Sequence, residues 1–283
     1  MSSDSESKFE GLKTRLKELG VDNKFALAFS GGLDSRFIAY SAGLAGLYPV
    51  LIHAQGPHIS ARESLFAEQW AARNGLDLLS IVSDPLLIPE VQANGRMRCY
   101  HCKRALFSRL KKIAGGMPLC DGTQASDSRS YRPGTAALAE FEILSPLADA
   151  GLTKAEIRHL AEASGMDSPD QQARPCLLTR FSYGLSPDHA SLEALDKAEK
   201  EIEDILREYT KSLAQADSPD FRLRHLGPGK LELHITPPAC FKSSLTSWPQ
   251  ALMDSLETAI CETTGIPACI RVMSELSGFF DRE

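Results

Sequence analysis

The sequence has 283 residues, 43% hydrophobic and 24% charged, which is typical of a globular protein with one large domain or two modest ones. A net charge of −6 disfavours nucleic-acid binding, because an acidic protein repels the phosphate backbone. No apolar run is long enough to cross a bilayer, and the polar N-terminus does not resemble a signal peptide. We therefore expect a cytoplasmic protein without a membrane partner, whose seven cysteines are reduced.

The first third of the chain alternates between helical and strand patterns. Amphipathic helices are predicted over residues 8–19 and 61–74, and buried strands over residues 25–29, 48–54 and 76–82. This alternation predicts a parallel sheet with right-handed crossovers. In such sheets a nucleotide binds at the carboxyl ends of the strands.

A glycine turn joins the first strand to the next helix. Ser30, Gly31 and Gly32 end the strand, and Asp34 and Ser35 lie in the first helical turn. Paired glycines at a helix N-terminus can direct several N–H groups at one phosphate, and a carboxylate there can cap the helix or hold Mg²⁺. The spacing matches neither the Walker loop nor the dinucleotide fingerprint. SGGLDS instead resembles the SGGxDS signature of the PP-loop ATP pyrophosphatases, which implies ATP as the ligand.

A Cys-x-x-Cys motif, Cys99 and Cys102, precedes a helix predicted over residues 105–114. The helix dipole and the neighbouring basic residues should lower the pKa values of both thiols and favour metal-binding thiolates. A tetrahedral zinc site would need a second pair of ligands, and the sequence has no other Cys-x-x-Cys. A thioredoxin-type disulfide is the alternative.

A fourth strand is predicted over residues 117–122, followed by a charged loop over residues 127–134 at the same sheet edge. The next helix, over residues 153–162, should begin with a capping box formed by Thr153 and Glu156.

Cys176 lies between Arg174 and Arg180. A single cysteine is usually a small core residue. Two flanking arginines favour a functional thiol, because they lower its pKa and can hold an anionic substrate nearby.

The pattern changes near residue 185, which predicts domains over residues 1–185 and 186–283. A long amphipathic helix, an antiparallel strand pair, a second helix and a final strand are predicted at residues 188–211, 221–226, 230–235, 249–263 and 268–273. Loops are predicted over residues 214–219 and 243–248.

Arg222 and Arg224 lie two positions apart in a predicted strand and therefore share one face. They can direct two guanidiniums at one anion. A solvated strand face is the alternative.

Together the motifs resemble the ATP-dependent sacrificial sulfur transferases, the LarE family of the PP-loop superfamily. The segments SGGLDS, RCYHCKRALF, DGTQASD, RPG, SPL, TKAEIR, RPCLLTRFSYG and RLRH occur in that family's order, over residues 8–235. The resemblance implies an α/β fold, PP-loop and Rossmann-like, with a parallel sheet. It also implies a smaller C-terminal α+β domain for substrate binding and oligomerisation, and we expect a homo-oligomer.

The resemblance also implies the reaction. ATP bound at residues 30–35 with Mg²⁺ adenylates a carboxylate of pyridinium-3,5-biscarboxylic acid mononucleotide, a small nucleotide-like substrate, and releases pyrophosphate. A sulfur nucleophile then displaces AMP and leaves a thiocarboxylate, a step in nickel-pincer nucleotide cofactor biosynthesis. Asp34, Cys176 and Arg180 match catalytic positions, and Arg222 and Arg224 match the arginine pair that binds the substrate phosphate.

Two sulfur sources are known in the LarE family. In one, the cysteine corresponding to Cys176 gives up its own sulfur and becomes dehydroalanine. In the other, three cysteines hold a [4Fe–4S] cluster whose open iron carries an added sulfide. This sequence has all three, Cys99, Cys102 and Cys176, and we favour the cluster.

Four features depart from the family pattern: Arg36, Gln124, Thr179 and the ending ELSGFFDRE. They leave open a related enzyme acting on another carboxylate. A PP-loop tRNA thiolase is a second interpretation, which the negative charge disfavours. A non-catalytic nucleotide or iron–sulfur sensor is a third.

Overall fold

The computed structural model describes residues 3–129, 133–212, 219–236 and 248–281. The chain divides into two compact units, Met1–Val91 with Arg96–Arg174, and Gln92–Gly95 with Pro175–Glu283. This division falls before Pro175, and the domain boundary near residue 185 stays a prediction. In the ranges described, no helix combines the length and the hydrophobicity needed to cross a membrane.

The first unit contains a four-stranded sheet in which every neighbouring pair is parallel. Its strands are β1 (Ala26–Ala28), β2 (Val50–Gln55), β3 (Leu78–Val82) and β4 (Leu119–Cys120). The order is β3-β2-β1-β4, with Ala26 beside Val50 on one side and Leu119 on the other. The predicted parallel α/β sheet is therefore confirmed, and β1 occupies an interior position.

Eight helices begin in the described part of this unit. They are α1 (Ser3–Leu19), α2 (Leu33–Leu44), α3 (Ala61–Arg73), α4 (Pro89–Gln92), α5 (Arg98–Ile113), α6 (Gly134–Glu140), α7 (Pro146–Asp149) and α8 (Lys154–Ala163).

Two helices begin earlier than the sequence pattern predicts. Helix α1 begins at Ser3, where Asp4 and Glu6 in the first turn interact favourably with the helix dipole. Helix α5 begins at Arg98 instead of residue 105. Its first two turns are polar, so the apolar periodicity that reveals the helix starts only later.

The core of the first unit has two layers, one on each face of the sheet. Phe25 and Leu27 belong to one buried cluster, which includes Trp70 of α3. Ala26, between them on β1, belongs to the other, with Phe107 of α5. Because side chains alternate along a strand, β1 must be apolar on both faces, as strands in parallel sheets generally are.

The second unit contains a separate three-stranded sheet of mixed direction. Its main elements are α9 (His189–Ser212), β5 (Asp220–Gly227), β6 (Lys230–Thr236), α10 (Gln250–Thr264) and β7 (Ala268–Val272). Strands β5 and β6 are antiparallel, as predicted, and β7 pairs in parallel with β6. Most of the two predicted loops, residues 214–219 and 243–248, lies outside the described residues.

The capping box predicted at the start of α8 is present. The Thr153 side chain accepts a hydrogen bond from the Glu156 N–H, and the Thr153 N–H donates to the Glu156 carboxylate. Lys8 of α1 lies 2.7 Å from the same carboxylate. Hydrogen bonds from Lys8 and Thr153 lower the pKa of Glu156 to about 2.

We expect the substitution Glu156→Gln to destabilise the protein at neutral pH and to matter less in acid. The folded-state pKa is depressed, so the carboxylate stabilises the fold above the unfolded pKa of 4.5 and loses this effect as the pH falls toward about 2. The expected loss in the free energy of unfolding is about 1 kcal/mol at pH 7, measured by urea denaturation.

The control is Glu162→Gln, which changes an exposed glutamate of the same helix. A stability difference between wild type and Glu156→Gln that stayed constant from pH 7 to about pH 3 would contradict the assignment.

Candidate active site

The glycine turn lies at the carboxyl end of β1 and is closed by its own serines. Ser35 Oγ donates to the Gly32 carbonyl at 3.1 Å and lies 3.2 Å from Ser30 Oγ. The Gly32 N–H donates to Ser30 Oγ at 3.3 Å. Ser30 is exposed, so the outer side of the turn is open to a ligand.

Gly31 gives the turn its shape. Its φ is +76°, in the left-handed region that side chains disfavour, and a Cβ at this position would lie 2.7 Å from the Cβ of Ala67. The loop therefore packs directly on α3, and only glycine fits between them.

Asp34 pairs with Lys154, a residue that the sequence analysis did not identify. Lys154 Nζ lies 2.8 Å from both carboxylate oxygens of Asp34. The signal in the sequence is a lysine at the first position of α8, where a cation opposes the helix dipole and needs a nearby carboxylate. This ion pair places one positive and one negative group beside the glycine turn.

The end of β4 reaches the same loop. A Cβ on Gly122 would lie 3.3 Å from the Ser35 N atom, so this glycine allows close approach to the N-terminus of α2. The preceding Asp121 accepts hydrogen bonds from Thr123 Oγ1 and Ser145 Oγ at 2.5 and 2.7 Å. The DGT segment therefore lies at the same edge of the sheet as the glycine turn. Tyr131 and Arg132 of the predicted charged loop are outside the described residues.

The three candidate cluster cysteines divide between the two units. Cys99 and Cys102 lie one turn apart in α5 of the first unit, and Cys176 precedes the 3₁₀ turn Leu177–Arg180 in the second. All three are free thiols, with Cys99 exposed and the others half-buried. Within the part of the chain that the structure describes, no three metal-ligating side chains are grouped as a metal site.

A [4Fe–4S] cluster needs thiolate ligands, and an open iron needs only three of them. Residues at i and i+3 of a helix lie on the same face, so Cys99 and Cys102 fit as two neighbouring thiolate ligands. Cys176 has the right chemistry for a third ligand. The donor set thus fits the cluster chemically, and its assembly stays a prediction.

Arg180 forms an ion pair with Glu199 within the second unit. Its Nε and Nη2 atoms donate to the two oxygens of Glu199 at 2.6 and 2.9 Å, and both side chains are buried. Burial alone would raise the pKa of Glu199, but the adjacent Arg180 holds that pKa below its usual value. Arg180 Nη1 also donates to the Pro175 carbonyl at 3.2 Å, so this pair anchors the Cys176 segment to α9.

Glu199 was another residue missed by the sequence analysis. It occupies a position on the apolar stripe of α9, between Leu195 and Ile202. A glutamate at a core position of an amphipathic helix is the signal, because a buried carboxylate requires a partner.

Arg222 and Arg224 lie on one face of β5, and both are buried. Arg222 Nη1 donates to Asp220 at 2.6 Å, and burial lowers the pKa of Arg222. Arg224 Nη1 donates to the Thr179 carbonyl at 2.8 Å, and its guanidinium lies 5.3 Å from the ring centres of Phe279 and Phe280. Their role in binding a substrate phosphate stays a prediction.

Comparison with known proteins gives three relatives, and no protein-family model matches the chain. An uncharacterised protein of Synechocystis sp. is 33% identical over 198 residues, which are 69% of this chain and 73% of that protein. An uncharacterised protein of Methanocaldococcus jannaschii is 34% identical over 206 residues, 71% and 76% of the two chains. The pyridinium-3,5-bisthiocarboxylic acid mononucleotide synthase of Lactiplantibacillus plantarum is 28% identical over 204 residues, 69% and 71%.

The chain belongs to the family that the Synechocystis and Methanocaldococcus proteins represent. It is also a distant homologue of the Lactiplantibacillus synthase, in agreement with the LarE-like sulfur transferase family that the motifs indicate. Membership of an iron–sulfur branch of that family stays a prediction.

We expect Gly31→Ala to destabilise the protein more than Gly46→Ala. Both glycines have a left-handed φ, +76° and +78°, but a Cβ on Gly46 meets no atom within 4 Å. The left-handed conformation should cost each variant about 1–2 kcal/mol. The contact with Ala67 should add roughly 1–3 kcal/mol to Gly31→Ala alone, measured by urea denaturation.

The double variant Gly31→Ala/Ala67→Gly removes the contacting methyl group and should recover part of the added loss. Equal destabilisation by the two single substitutions would contradict the packing described for the loop.

Proposed function

We propose that the protein is an ATP-dependent sulfur transferase that activates a substrate carboxylate by adenylation and converts it to a thiocarboxylate. The observation that carries this proposal is the glycine turn at the carboxyl end of β1, with the Asp34–Lys154 pair beside it. The distant homology to a bisthiocarboxylic acid mononucleotide synthase supports it.

In the first step a carboxylate oxygen attacks the α-phosphorus of ATP, and the bond from that phosphorus to the pyrophosphate oxygen breaks. The Gly32 N–H and the Lys154 ammonium offer hydrogen bonds and positive charge to the departing phosphates. The Asp34 carboxylate has lone pairs beyond those used by Lys154 and would hold Mg²⁺, which would neutralise phosphate charge.

In the second step a sulfur atom bonds to the carboxyl carbon, and the bond from that carbon to the AMP oxygen breaks. Adenylation makes this attack feasible, because AMP is a far better leaving group than an oxide ion. The substrate we propose is pyridinium-3,5-biscarboxylic acid mononucleotide, with its phosphate bound by Arg222 and Arg224. Charged residues that are already held in place lose little entropy on binding.

Cys176 is the proposed sulfur-handling residue. The Arg180–Glu199 pair fixes the segment that carries it, so Arg180 acts on Cys176 by positioning. Cys99, Cys102 and Cys176 would together hold a [4Fe–4S] cluster, which would supply sulfide from its open iron. In the route without a cluster, the Cys176 Cβ–S bond breaks with loss of the α-proton and leaves dehydroalanine.

The test separates activation from sulfur transfer. We expect the wild-type protein to release pyrophosphate from ATP only when the pyridinium dicarboxylate mononucleotide is added. Cys176→Ala should keep this release within roughly twofold, because the thiol is proposed to act only after the adenylate has formed. The same variant should form no thiocarboxylate, as measured by mass spectrometry.

ATP binding without AMP or pyrophosphate formation would contradict the proposal and favour a sensor. Pyrophosphate release that depends on tRNA instead of the mononucleotide would favour the thiolase interpretation.

A separate measurement decides the sulfur source. After anaerobic reconstitution, we expect the wild-type protein to contain about four iron atoms per chain and Cys99→Ala to lose most of them. The matched control is Cys261→Ala, which changes an exposed cysteine of α10 and should leave the iron content unchanged. Full multiple-turnover activity of Cys99→Ala without iron would contradict the proposal that a cluster supplies the sulfur.

A further inference from the structure

Arg36, one helical turn after Gly32 in α2, is a completely buried arginine with an unusual set of partners. Its exposed fraction is 0%, and burial lowers its pKa. Most of its hydrogen bonds go to neutral oxygens, and the carboxylate of Asp167 lies 3.6 Å from Nη1. Removing a guanidinium from water costs free energy. The hydrogen bonds that Arg36 makes to its partners must therefore offset this desolvation cost.

One of these bonds reaches the nucleotide turn itself. Arg36 Nε donates to the Gly31 carbonyl at 3.1 Å. No described peptide bond is cis, and in a trans peptide the C=O and the following N–H point in opposite directions. Holding the Gly31 carbonyl toward Arg36 therefore turns the Gly32 N–H away from it, toward Ser30 Oγ on the open side of the turn.

The remaining bonds reach the segment that follows α8. Nη1 donates to the Asp167 carbonyl at 2.7 Å, and Nη2 donates to the Ser168 carbonyl at 2.9 Å. Nη2 also donates to the side-chain oxygen of Gln171 at 2.6 Å, which Nε contacts at 3.1 Å. One guanidinium thus joins residues 167–171 to the inner side of the turn. Its Cζ atom lies 5.2 Å from the centre of the Phe66 ring.

We propose that Arg36 is a positioning residue for nucleotide binding: it fixes the peptide between Gly31 and Gly32 so that the Gly32 N–H faces the pyrophosphate part of ATP. The inference rests on the proposed use of ATP and adds a residue that determines phosphate affinity. Its fixed charge, directly behind the turn, adds to the favourable potential at the N-terminus of α2.

The experiment compares ligands that do and do not contain the pyrophosphate group. Binding of ATP, inorganic pyrophosphate and AMP to the full-length protein is measured by isothermal titration calorimetry with Mg²⁺. We expect Arg36→Met to weaken ATP and pyrophosphate binding by about tenfold or more and to leave AMP within about twofold, since AMP lacks the group that the turn holds.

The matched control is Gln171→Met. This substitution removes one partner of Arg36 in the 167–171 segment but leaves the Arg36 bond to Gly31 in place. We expect it to change the affinity for each of the three ligands by less than about twofold.

If Arg36→Met does not fold, as judged by circular dichroism, Arg36→Lys carries the same test. In lysine a methylene carbon replaces Nε, which donates to the Gly31 carbonyl, so that bond is lost and pyrophosphate affinity should again fall more than AMP affinity. Unchanged ATP and pyrophosphate affinity in the variant would overturn the inference, and so would equal weakening of all three ligands, which is the signature of a purely structural residue. A wild-type protein that binds none of the ligands would instead refute the proposed function.

Discussion

The peptide between Gly31 and Gly32 is the constraint on which the glycine turn after β1 depends. One side of Gly31 touches Ala67 of α3, and its carbonyl is held by the buried Arg36 of α2. The loop is therefore fixed by two different helices before any ligand arrives. Preorganisation of this kind matters because a phosphate-binding loop that must be ordered by its ligand loses affinity to the entropy of ordering.

Two of the described charged pairs, one in each unit, join residues from distant parts of the sequence. Asp34 pairs with Lys154 beside the glycine turn, and Arg180 pairs with Glu199 behind the Cys176 segment. Such pairs add little net stability because desolvation opposes the attraction. Their effect is on geometry, since they hold the glycine turn and the Cys176 segment in defined orientations.

The two chemical roles that we propose divide between the two units. The glycine turn and the Cys99–Cys102 pair belong to the first unit, whereas Cys176, Arg222 and Arg224 belong to the second. In the proposed reaction, the glycine turn would account for activation, and the cysteines would determine what the activated carboxylate becomes.

The sequence by itself determined the parallel α/β sheet, the turn at residues 30–35, the capping box at Thr153 and the antiparallel pair β5–β6, because these depend on local periodicity and turn chemistry. It did not reveal the helical start of α5, where polar residues hide the periodicity. Only the tertiary structure decided that Lys154 pairs with Asp34 and that Arg36 holds the Gly31 carbonyl. The physical reason is that a long side chain can reach several partners, and packing alone selects among them.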